Sequence, residues 1–158
     1  MVEVEARFWE LCDIASRHDE SRHRKLCDES VSPDEAELEA RACEQAMVDI
    51  IGLVEKHPEH RWTFVRCFSD LALWKRRASF LLVPFCMRRL RFPEIHELLA
   101  QDAKAHEGTA YYASHMNYWS AVNHAYLDEV WESALCFDFY RHEDRQARSN
   151  PHRTETNP

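Results

Sequence analysis

Glycine is almost missing from this chain: two residues in 158, Gly52 and Gly108. Phosphate-cradling loops, tight hairpins and dinucleotide-binding turns need residues without a Cβ, to reach positive φ or to let the backbone approach a ligand closely. No GxGxxG or Walker-type loop occurs, which argues against nucleotide binding by those routes. Long apolar runs are also lacking. The longest, around Phe80–Met87, contains Pro84 and falls far short of the roughly 20 residues that cross a bilayer, so no membrane partner is expected. Paired cysteines are absent as well: Cys12, Cys27, Cys43, Cys67, Cys86 and Cys136 are scattered without a CxxC. Several lie in apolar periodic stretches, where a free thiol behaves as a small hydrophobe. Glu3, Glu5 and Arg7 interrupt any signal-peptide core. These features place the chain in a reducing cytoplasm rather than in a disulfide framework.

What the chain does have is charge, in blocks. Its net charge is −8. Residues 1–60 hold seven cations against sixteen acids, and residues 61–91 hold eight cations against one acid. Residues 92–144 return to two against ten, and the tail 145–158 has three against one. A basic centre therefore lies between two acidic segments. Its densest part, KRRASFLLVPFCMRRLR at 75–91, poses a choice between pairing within the chain, binding phosphates and meeting an acidic partner. Pairing with acidic neighbours in the same fold is the first reading; exposed pairs of that kind contribute only about 0–1 kcal/mol each.

Helical periodicity runs through nearly the whole chain. Residues 2–17 form a helix burying Phe8, Leu11 and Cys12, while 18–31 either continue it or form a loop. Ser32-Pro33-Asp34-Glu35 reads as a helix start, with Ser32 as cap, Pro33 at the first position and Glu35 completing a capping box. The helix that follows turns Leu38, Cys43, Met47, Ile50, Ile51 and Val54 inward and stops near His57-Pro58. Trp62, Val65, Phe68 and Ala72 mark the next helix. Over 77–91, Phe80, Val83, Met87 and Leu90 form an apolar stripe, with Arg77, Arg88 and Arg91 on a neighbouring face. Pro84 should bend that helix. A further helix from Pro93 carries Ile95, Leu98 and Leu99 and fades at Gly108. The longest, 110–141, has a seam of Tyr112, Met116, Trp119, Val122, Tyr126, Val130, Ala134 and Phe137.

The expected fold is all-α: five to six helices in one domain over 1–144, packed as antiparallel hairpins, with 145–158 as a disordered tail. The pairs 34–56 with 59–74 and 77–91 with 94–106 resemble the helical hairpins of HEAT-like repeats. A compact bundle is the rival arrangement.

Chemistry is harder to find. No nucleophile elbow occurs, and no HExxH or Cys/His spacing for a closed zinc site. His57 and His60 stand in HPEH, and Asp102/His106, His124/Asp128 and Asp128/Glu132 are one-turn pairs of a kind common on helix surfaces. No enzyme activity, cofactor or metal is assigned. The final helix carries the more unusual surface. Asn117, Ser120, His124, Asp128 and Trp131 form a stripe away from the seam, flanked by Tyr118, Glu129 and Glu132. Aromatic rings supply contact area with little rotamer entropy to lose, and carboxylates steer a basic partner. In size, acidity and this aromatic–acidic helix the chain is similar, in general character, to bacterial immunity proteins that neutralise a toxin. That resemblance implies stoichiometric binding to another protein, a toxin or enzyme with a basic surface, through Asn117, Tyr118, His124, Asp128, Glu129, Trp131 and Glu132. The alternative is a HEAT-like domain that binds nucleic acid or another phosphate-bearing ligand through Arg77, Arg88 and Arg91.

Overall fold

A computed structural model of the chain describes residues 2–127 and 137–141. The chain divides into two compact units, Met1–Leu127 and Asp128–Pro158. The first holds six α-helices: α1 (Val2–Leu26), α2 (Pro33–Lys56), α3 (Arg61–Ala72), α4 (Leu82–Leu90), α5 (Pro93–Ala105) and α6 (Ala110–Tyr126). A short 3-10 turn, Pro58–His60, joins α2 to α3. In the second unit residues 138–141 are helical, with Arg141 paired to Asp138. No strand occurs among the described residues, so the fold is all-α. No helix among them is long and apolar enough to cross a membrane. The expected tail, 145–158, and the boundary at 144 lie outside the described residues.

Local chemistry accounts for the starts of α2 and α5. Ser32 is extended, and its Oγ accepts the Asp34 N–H at 3.3 Å ahead of Pro33, which has no N–H to lose. Proline also opens α5. The stretch 18–31, open in the sequence, is helical to Leu26 and turns before Ser32.

Helices α1 and α2 pack along their lengths. They run antiparallel, since Glu39 near the start of α2 meets His18, Ser21 and Lys25 near the end of α1. Helix α4 packs against α2 and α6, and α5 against α3 and α6. The two proline-turn pairs expected as hairpins are therefore not the close pairs: the longest seam joins α1 and α2. Phe8 anchors the core, its ring 6.0 Å from Phe64 and 5.0 Å from Phe68, and Phe68 lies 6.0 Å from Phe92. Fully burying a side chain of this size stabilises the fold by about 1.5–3 kcal/mol. Met47, Ile50, Leu82, Phe85 and Met87 complete the interior. Leu38 and Trp62, both expected inside, are exposed.

Four free thiols lie within this core: Cys12, Cys43, Cys67 and Cys86. Burial pushes the Cys43 thiol up to about 12 and that of Cys67 to about 11, and raises Cys12 and Cys86 too. Cys27, in the α1–α2 turn, is exposed.

The central basic stretch departs most from expectation. It is not one helix over 77–91. Helix α3 ends with Trp74 in the left-handed region (φ 56°), where the Trp74 N–H bonds to Leu71 O at 3.1 Å and the Lys75 N–H to Asp70 O at 2.9 Å. That double closure is a Schellman motif. Ser79 then gives its backbone N–H to Ser16 Oγ (3.0 Å) and its hydroxyl proton to Asp19 Oδ2 (2.7 Å), and its own oxygen accepts the Leu81 N–H at 3.2 Å. Backbone and side chain are thus committed to α1 and to the local turn, and helix resumes only at Leu82. Pro84 falls in the first turn of α4, where a missing N–H costs no intrahelical bond; it opens the helix instead of bending it midway. Phe80 lies before the helix and is part-exposed rather than in its apolar stripe.

Candidate interaction surface

Helix α6 carries three of the expected contact residues, Asn117, Tyr118 and His124. Gly108, at φ 77°, turns the chain out of α5, and Thr109 Oγ1 caps α6 by accepting the Tyr112 N–H at 3.1 Å. Successive side chains step by 100°, and two faces separate. Tyr118, Trp119, Val122 and Ala125 are buried; Met116, Asn117, Ser120, Asn123 and His124 are exposed. Asn117 and His124 therefore stand in solvent as a contact surface requires. The Nδ1–H of His124 donates to the Ser120 carbonyl at 2.7 Å, which fixes the ring against its own helix.

Tyr118 is a correction. Lying 100° around the helix from Asn117, it falls on the inner face and is 3% exposed, and burial raises its phenol above the ordinary range. Met116, expected in the seam, lies on the outer face at 52% exposure. The inner face is centred on Tyr118, Val122 and Ala125. Asp128, Glu129, Trp131 and Glu132 lie outside the described residues, as do the carboxylates of the His124/Asp128 and Asp128/Glu132 pairs.

The expected helix over 110–141 stops at Tyr126, and Leu127 is extended (ψ 148°). The cause is on α4. Arg91 donates from Nη1 to the Tyr126 carbonyl at 2.7 Å, and Arg88 donates to the Leu127 carbonyl. Guanidinium groups at a helix C-terminus satisfy carbonyls that lack an intrahelical donor and meet the negative end of the helix dipole. Tyr126 returns a hydrogen bond from its hydroxyl to Phe92 O at 2.7 Å, closing this corner.

The same contacts decide the fate of the arginine stripe. Arg77 precedes α4 and bonds to Glu20 of α1 at 2.9 Å, whereas Arg88 and Arg91 are turned onto the end of α6. The three share no helix face. Arg77 borders an open groove of about 670 Å³ along α1, and that groove also presents Glu10, Asp13 and Glu20. Phosphates would meet those carboxylates first. The remaining cations of 75–91 are engaged as well: Lys75 with Asp70 at 3.2 Å, Arg89 with Glu55 at 2.9 Å, and Arg76 4.0 Å above the Trp9 ring.

One exposed feature has no counterpart in the sequence reading. Trp74 and Phe80 lean on Tyr118 with ring centroids at 4.9 and 5.4 Å, and His115 closes the cluster 6.1 Å from Trp74. Trp74 is 37% and Phe80 40% exposed, so they form an aromatic rim around a buried tyrosine. A helical reading of 77–91 hides this rim by turning Phe80 inward. The polar break at Ser79, between two runs of opposite character, is the signal that points to it.

Among the one-turn pairs, Asp102 and His106 do meet. The His106 Nδ1–H donates to the Asp102 backbone carbonyl at 2.9 Å, with the carboxylate 3.3 Å away. That nitrogen is occupied by its own helix. Comparison with protein-family models, curated proteins and solved structures gave no match.

Proposed function

We propose that the protein acts by stoichiometric binding to another protein with a basic surface, as an inhibitor or immunity protein for a toxin or enzyme in a reducing cytoplasm. One observation carries this reading: all six cations of 75–91 have partners inside the fold. With those side chains engaged within the fold and a net charge of −8 over the chain, the long-range field favours a cationic partner. The Trp74–Phe80 rim and the exposed face of α6, with Asn117 and His124, supply contact area of the kind that anchors such complexes. The acids at 128, 129 and 132, named from the sequence as partner-binding, lie outside the described residues and enter the proposal through their charge alone. The phosphate-binding alternative loses its shared arginine face and becomes an outcome of the test.

Affinity capture from the host lysate, at low and raised salt and with or without nuclease, identifies a candidate; the purified pair is then titrated. The reading expects a one-to-one complex weakened by salt and indifferent to nuclease. Replacing Trp74 and Phe80 together by Ala should weaken it by about tenfold or more, and reversing the charges of Asp128, Glu129 and Glu132 should weaken it again. Affinity unchanged by both sets overturns the proposal. So does recovery of nucleic acid that disappears on nuclease treatment.

A further inference from the structure

The turn between α2 and α3 reads His57-Pro58-Glu59-His60. Its backbone is held at both ends. The His57 N–H bonds to Val54 O at 3.3 Å and caps α2, the His60 N–H closes onto His57 O at 2.9 Å, and the Arg61 N–H bonds to Pro58 O. Pro58 fixes φ at the first position of the turn. This small rigid frame turns three side chains toward one point. His57 Nδ1 lies 3.0 Å from Glu59 Oε1, and His60 Nε2 lies 3.7 Å from the same oxygen. One donor atom from each residue lies within 4.8 Å of the other two.

We infer that His57, Glu59 and His60 form a binding site for a single divalent transition-metal ion of the Zn²⁺ class, with solvent completing its coordination. Two imidazole nitrogens and one carboxylate oxygen suit Zn²⁺, Ni²⁺ or Cu²⁺, whereas Ca²⁺ and Mg²⁺ require shells of oxygen. Around a tetrahedral ion with bonds of about 2.0–2.2 Å, neighbouring donors stand about 3.3 Å apart, and the two separations here bracket that value. Small side-chain rotations bring the donors onto an ion without moving the backbone. The other histidine–carboxylate contacts differ: His23/Asp19 and His106/Asp102 offer two groups, and the Glu39 carboxylate beside His18 already accepts from Lys25 and Ser21. Among the described residues, HPEH is the one cluster of three such donors. The adjacent cation does not oppose an ion there, because Arg61 is held by two bonds to Glu94 at 2.7 and 2.8 Å.

Calorimetric titration of the full chain with Zn²⁺ alone, and Cu²⁺ paramagnetic resonance on the same protein, test the site. The expected result is one Zn²⁺ per chain at micromolar affinity, undisturbed by millimolar Mg²⁺. His57→Ala and His60→Ala should each weaken binding about tenfold or more, and each should remove one nitrogen from the Cu²⁺ spectrum. His106→Ala should change neither. His57, Glu59 and His60 are not buried, so the variants keep their fold, and far-UV circular dichroism checks this. Unchanged affinity in the His57→Ala/His60→Ala double variant overturns the proposal, and so does the absence of one-to-one binding by the unaltered protein.

Discussion

Trp74 and Arg91 are the two non-glycine residues among those described that are held at positive φ, at 56° and 51°. Each ends a helix at the position glycine ordinarily takes, in a chain with almost no glycine. A side chain there costs roughly 1–2 kcal/mol, and the two corners offset it by different means. At Trp74 the compensation is aromatic: the indole packs on Tyr118 and Phe80, and the segment is fastened farther along by Ser79 to Asp19. At Arg91 it is polar, a guanidinium supplying donors to the last carbonyls of α6. Glycine would satisfy the backbone at either place and provide neither link. The strained residue is kept where its side chain ties its helix to another element.

The largest effect should come from removing the far fastening of the first corner. Ser79→Ala deletes the hydroxyl that serves buried Asp19, whose other oxygen has no hydrogen-bond donor among the described residues. Urea unfolding should show a loss of about 2–3 kcal/mol, with faster amide exchange at Ser79 and Leu81. A loss below about 0.5 kcal/mol would show that the link does not hold the segment.

Next in size is the contrast of alanine with glycine at the two corners. Trp74→Ala keeps the backbone cost and loses the ring, so Trp74→Gly should be the more stable by about 1 kcal/mol. The same gap is expected between Arg91→Ala and Arg91→Gly. Both Arg91 variants should also loosen the last turn of α6, seen as faster exchange near Tyr126. Equal stability of the Ala and Gly forms at either corner would remove the strain from the comparison.

The smallest effect belongs to a link made without strain. Hydrogen bonds from His18, Lys25 and Ser21 lower the Glu39 carboxyl from 4.5 to about 2. A carboxyl depressed by folding contributes fully above its unfolded value, and the contribution disappears as pH falls from about 4.5 toward 2. Glu39→Gln should therefore flatten the acid limb of the stability profile in that window. An acid limb identical to that of the parent would contradict the assignment.

These comparisons also show why parts of the molecule were legible in the sequence. The starts of α2 and α5 depend on residues within a few positions, Ser32 and the prolines, and could be read directly. The inward positions Phe8, Met47, Ile50, Phe68 and Ile95 follow from helical period alone. The break at 75–81 could not be read that way, because it is set by Ser16 and Asp19, some 60 residues earlier in the chain. The end of α6 is likewise imposed by Arg88 of α4 and Arg91 just beyond it, and Tyr118 is buried because the Trp74 turn brings two rings onto it. Of the candidate surface, the outward placement of Asn117 and His124 was local and readable. The aromatic rim depended on a distant contact and was not.

The buried thiols have a consequence for how this molecule breathes. Alkylating reagents attack thiolates they can reach, and Cys12, Cys43, Cys67 and Cys86 are neither accessible nor readily ionised while the helices stay packed. They become reactive only during an opening motion. Cys12 belongs to α1, Cys43 to α2, Cys67 to α3 and Cys86 to α4, so the order in which these sulfurs are modified records the order in which the helices part. The core thus contains its own set of clocks, one on each of four successive helices.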